Sequence, residues 1–124
     1  MDIRNVDSLR EFVTLDQSRV VELIHPNNSR ARNVSVAQAT IAAGRSTLSH
    51  VHREFEEVYY VLRGDAAMEL NGEVARMRAG DAVYISPGAE HRITCVGPGD
   101  LVILCICAPP YRGDGTDVTE GVRV

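Results

Sequence analysis

Three of the chain's four histidines recur with a glutamate at spacings that suit one metal ion: His50, His52, Glu57 and, farther along, His91. Imidazole nitrogens and a carboxylate oxygen are ligands that first-row transition metals accept, and two histidines with one carboxylate and open positions suit non-haem iron. His50 and His52 are two residues apart. On a strand, alternate side chains face one side, so both imidazoles would enter the same space. The polar run Arg53-Glu54-Phe55-Glu56 suits a bend that returns Glu57 toward them, and the turn Pro87-Gly88 precedes His91. A third imidazole leaves up to two positions of an octahedron for water, substrate or dioxygen. His25, inside His25-Pro26-Asn27-Asn28, reads instead as a packed turn residue.

The elements that must hold these groups read as strands. Short runs rich in Val, Ile, Tyr and Thr recur between Gly, Pro, Asn and Asp, the pattern of an all-β sandwich or barrel. Strands are expected over 19–24, 34–41, 46–52, 57–63, 66–70, 73–78, 82–85, 91–96 and 101–107. Asn71-Gly72 between two such runs is a strong hairpin signal, because both residues accept positive φ. Residues 6–14 read as a short helix capped by Asp7, or as an irregular arm. The chain divides into an arm with one strand (1–33), a barrel core (34–108) and a tail lying over the barrel or frayed (109–124).

The 124 residues suffice for one domain with a real core. A net charge of −4 with scattered basic residues argues against a nucleic-acid partner. All thirteen basic residues are arginine, so no side-chain amine is present to form a Schiff base. Nothing at the start of the chain resembles a signal peptide, and the apolar run 101–108 is too short for a bilayer, so no membrane association is expected and a cytoplasmic location is. Cys95, Cys105 and Cys107 are then expected to be free, buried thiols. The tripeptide Arg112-Gly113-Asp114 is not read as an adhesion motif in such a chain.

Gly44, His50, His52, Glu57 and Gly64 fall at the spacing of the first motif of the cupin superfamily. Gly80, Gly88 and His91 match the second, while Ser86 and Cys95 stand where that motif has proline and asparagine. The chain therefore resembles a small single-domain (type-2) cupin over about 34–107. The resemblance implies a jelly-roll barrel of two packed antiparallel sheets, often a homodimer. It also implies one divalent metal ion (Fe, Mn, Ni, Cu or Zn) held inside one end by His50, His52, Glu57 and His91.

Strand alternation then places Tyr59 and Val61 on the same side as Glu57, Ser46 and Leu48 with the histidine pair, and Ile93 with His91. Gln38, Thr40 and Met68 are weaker candidates for the lining. Tyr59 is the candidate catalytic residue, as an acid or hydrogen-bond donor, and it reads equally well as a core tyrosine. Arg53 and Arg92 flank ligands and would suit a carboxylate or phosphate, or else lie on the surface. The function expected is metal-dependent chemistry on a small oxygenated metabolite, with slight preference for a dioxygenase-type reaction. A metal Lewis-acid isomerase, epimerase, lyase or cyclase is the alternative, and a non-catalytic metal-assisted small-molecule binding or sensor barrel the third reading.

Overall fold

The structure, a computed structural model, describes residues 1–120. The last four residues of the expected tail lie outside the described residues. Among the described residues eleven strands form in chain order: β1 (Glu11–Val13), β2 (Arg19–Ile24), β3 (Ser35–Ile41), β4 (His50–His52), β5 (Glu56–Arg63), β6 (Asp65–Leu70), β7 (Glu73–Arg78), β8 (Ala82–Ile85), β9 (His91–Cys95), β10 (Leu101–Ala108) and β11 (Thr116–Val118). They make two antiparallel sheets, of order β1-β2-β3-β10-β5-β8 and β11-β4-β9-β6-β7. The sheets pack face to face as a jelly roll, the all-β architecture that the sequence indicated.

Burial follows strand alternation. Glu57, Tyr59 and Val61 of β5 are buried, as are His91, Ile93 and Cys95 of β9 and both histidines of β4. The apolar centre lies between the sheets, where Val61, Ile93 and Leu101 are fully enclosed. Burying a side chain of that size contributes roughly 1.5–3 kcal/mol. The β6–β7 hairpin turns on Asn71 and Gly72, with φ of 48° and 83°. Gly64, the last glycine of the first motif, has φ of 99°, and a Cβ there would meet the Asp100 carbonyl oxygen at 2.8 Å. That close approach of β5 to the start of β10 requires glycine.

Both ends of the chain join the sheets. Residues 6–14 form a 3-10 turn (Val6–Ser8) and then β1, which pairs with β2. Asn5 rather than Asp7 caps the turn, its side-chain oxygen accepting the Asp7 N–H at 2.8 Å. Beyond Pro109, β11 pairs with β4 so that Thr116 stands opposite His52 and Val118 opposite His50. The expected strand 46–52 is shorter. Only His50–His52 is regular, because Thr47 bonds the backbone of Ile93 while Leu48 N–H donates to the Asp16 carbonyl. Among the described residues no helix is long and apolar enough to cross a bilayer.

Candidate metal centre

The pairing of β4 with β9 sets His50 opposite His91, and alternation brings His52 to the same face. The three buried imidazoles offer one nitrogen each within 4.8 Å of the others, a cluster that could hold a metal ion. Each ring is held by its other nitrogen. His50 Nδ1 lies 2.6 Å from the Leu48 carbonyl oxygen, His91 Nδ1 lies 2.9 Å from that of Ala89, and His52 Nδ1 lies 2.8 Å from Thr116 Oγ1. A carbonyl only accepts, so those bonds place the proton of His50 and His91 on Nδ1 and leave Nε2 as a bare lone pair facing inward. Fixing the tautomer through the far nitrogen is how ligand histidines are oriented.

Glu57 enters from β5. Its Oε2 accepts from the Cys107 thiol at 3.3 Å, since β10 and β5 set those two residues opposite each other. Its Oε1 faces His52 Nε2 at 2.9 Å and His91 Nε2 at 3.6 Å. Burial pushes the Glu57 carboxyl up, but with His52 and His91 acting as donors it is held down at about 2. The Nδ1 proton of His91 denies it that donor role, and Glu57 Oε1 and His91 Nε2 are both buried without a hydrogen-bond partner. Lone pairs that converge on one space without a proton between them are costly unless a cation shares them. The donor set therefore fits a divalent ion. Burial and the neighbouring His91 push His50 down, with Asp16 opposing, which favours the neutral ring that metal binding requires.

A cleft of about 570 Å³, counted out to its open mouth, reaches this cluster. Tyr59 lines it; burial first and Glu57 second raise its phenol well above the ordinary value, so it stays a donor. Cys105 and Cys107 line it too, their thiols pushed up mainly by burial. Other expected lining residues lie elsewhere. Val61, Met68 and Ile93 belong to the apolar centre, and Ser46 is exposed while Thr47 is buried. From β3 the lining is Ser35 and Ala37, so Gln38 and Thr40 have the opposite parity. Arg53 is paired with Asp117, and Arg92 lies 2.6 Å from Glu69, both outside the cleft. His25 is a packed turn residue as expected, its Nε2 lying 3.0 Å from the Tyr111 carbonyl oxygen.

Sequence reasoning missed the contributions of the chain ends. Phe12, Thr14, Asp16 and Ser18 from the β1–β2 hairpin line the cleft, as do Tyr111 and Thr116 from the C-terminal segment. Asp16 Oδ2 stands 3.5 Å from His50 Nε2. Its Oδ1 accepts from Thr14 Oγ1 at 2.6 Å, Ser18 Oγ at 2.6 Å and Ser18 N–H at 2.9 Å. Polar Thr14, Asp16, Gln17 and Ser18 between apolar runs are the sequence signal of that turn.

Two packed antiparallel sheets with three buried histidines clustered between them define a barrel of the jelly-roll class. The chain belongs to the cupin family: the family profile described as Cupin domain matches residues 37–107. An uncharacterized protein of Methanocaldococcus jannaschii is 38% identical over 114 residues, which is 92% of this chain and 91% of that one. The oxalate-binding protein of Thermotoga maritima is 31% identical over 70 residues, 56% of this chain and 58% of its own. Among solved structures, the polyketide cyclase RemF from Streptomyces resistomycificus superposes with a TM-score of 0.82 at 17% identity, covering 99% of this chain and 88% of its own. At that identity the likeness is one of fold.

Proposed function

We propose that the protein is a metal-dependent cupin enzyme acting on a small oxygenated molecule, with His50, His52, His91 and Glu57 as the ligands. One observation carries this reading: buried Glu57 Oε1 and His91 Nε2 are orphaned side by side at 3.6 Å, between rings locked by their Nδ1 atoms. When bound, a divalent ion would supply Lewis acidity toward a substrate oxygen. The chain's own groups do the rest. Tyr59 offers a proton to a ligand oxygen, Asp16 offers a second carboxylate at the cleft, and Phe12 and Tyr111 limit access of water. The cyclase and the oxalate-binding protein among its relatives act on or bind oxygenated small molecules, which supports the substrate class and leaves the reaction to experiment.

The second carboxylate favours the Lewis-acid class, in which protons move, over the dioxygenase. The test is metal content after purification without chelator, followed by oxygen uptake and turnover with diketones, hydroxy acids and sugars. Turnover without oxygen uptake supports the reading, uptake selects the dioxygenase, and binding without turnover selects the sensor barrel. A protein that acquires no Fe, Mn, Ni, Cu or Zn overturns it.

A homodimer belongs to the same proposal. On the outer face of the six-stranded sheet, Tyr60 stands opposite Leu104, Ile106 opposite both Val58 and Val36, and Val58 opposite Tyr84. That apolar outer face supports burial against a second copy.

A further inference from the structure

We propose that the cleft selects uncharged ligands over anions, with Asp16 as the residue that sets this preference; the inference rests on the metal reading above. Among the described residues three carboxylates line the cleft, from Asp16, Glu22 and Glu57, and no arginine does. The chain has no lysine, and its arginines near the barrel end are engaged outside: Arg53 with Asp117, Arg112 with Asp114, and Arg19 with Glu11 and Asp100. Anchoring a carboxylate or phosphate away from the metal calls for a fork of guanidinium donors, and none of the described lining residues provides one.

Asp16 is placed to matter most. It is largely buried, with 15% of its side chain exposed, and its Oδ2 faces His50 Nε2 at 3.5 Å. Three donors hold Oδ1, so the carboxylate cannot swing away without breaking them. Leu48 fixes the spacing: its N–H donates to the Asp16 carbonyl at 2.8 Å and its carbonyl takes the Nδ1 of His50 at 2.6 Å. The three carboxylates together outnumber the two charges of a divalent ion, so an arriving dianion would meet net repulsion. The uncharged lining includes apolar Phe12, Val20 and Ala37, the ring of Tyr111, and the hydroxyls of Tyr59 and Thr116. The ligand class that fits is a neutral molecule with adjacent hydroxyl and carbonyl oxygens and an apolar or aromatic face.

The test uses the protein loaded with Co(II), whose visible absorption reports ligands entering its coordination shell. It is titrated at one fixed pH with oxalate, a dianion, and with maltol, a hydroxypyranone that arrives uncharged and releases its single hydroxyl proton to the buffer on chelation, and each dissociation constant is divided by that for aqueous Co(II) at the same pH. The native protein should favour maltol by about tenfold or more. Asp16→Asn, brought to full cobalt occupancy, should narrow that preference about tenfold by tightening oxalate. Equal normalised affinities, a preference for oxalate, or an unchanged ratio in Asp16→Asn overturns the proposal. Should circular dichroism show that Asp16→Asn does not fold, Glu22→Gln takes its place, with a smaller shift in the same direction expected and no shift overturning. Cobalt retained without selectivity overturns only this inference. Failure of the native protein to bind cobalt overturns the metal reading, and this inference with it.

Discussion

The Cys107 thiol donates to Oε2 of Glu57 at 3.3 Å across the β10–β5 pair, and so turns the other carboxylate oxygen toward the histidines. Partners of this kind commonly change metal affinity by about 10–100-fold. Cys107→Ala should therefore weaken metal binding by about tenfold, and Cys107→Ser, which keeps a donor, should retain most of it. Competition with a chromogenic chelator measures both. Equal affinity of the alanine variant and the native protein removes Cys107 from the site.

Thr116 bears on His52 in the same way, but from a strand 64 residues away in sequence. Thr116→Val keeps the shape of the side chain and removes the hydroxyl that meets His52 Nδ1. The expectation is about tenfold weaker metal binding with little change in the melting temperature of the metal-free protein. If removal of residues 109–124 leaves affinity intact, β11 has no part in positioning the ligand.

The local parts of this site are readable in sequence, and the distant ones are not. His50-Val51-His52 declares its shared face because strand period acts over two residues, and Asn71-Gly72 declares its turn because positive φ is a property of those residues. Asp16, Tyr111 and Thr116 carry no such mark. Each reaches the cleft only because β1 docks on β2 and β11 on β4, pairings that depend on the whole barrel. The side of β3 that faces in is ambiguous for another reason. Val36 lies on the outer face and Ala37 on the inner, so apolar residues occupy both parities and alternation cannot choose.

Acid should destabilise the metal-free protein. His50 has its imidazole lowered below the ordinary 6.5 by burial and His91, so the unfolded chain binds that proton more readily than the folded one. Its contribution to stability is present above 6.5 and is lost as pH falls through that value toward the folded one. The melting temperature of chelator-treated protein should therefore fall from about pH 6.5 downward, with the upper part of the slope flattened in His50→Gln. A flat curve between neutrality and pH 5 contradicts this reading.

Tyr60, 38% exposed, and Tyr84, 54% exposed, flank Val58 on the outer sheet face and leave part of each ring open to solvent in the single chain. A charge introduced there cannot be shed into a dry contact between copies, because burying an unpaired carboxylate costs several kcal/mol. Tyr60→Asp should thus shift the protein to half its native mass in light scattering, with its metal content unchanged, since the cleft lies on the opposite face of β5 from Tyr60. A native protein that already runs at 13.6 kDa refutes the dimer, and a variant that stays dimeric moves the contact to another face.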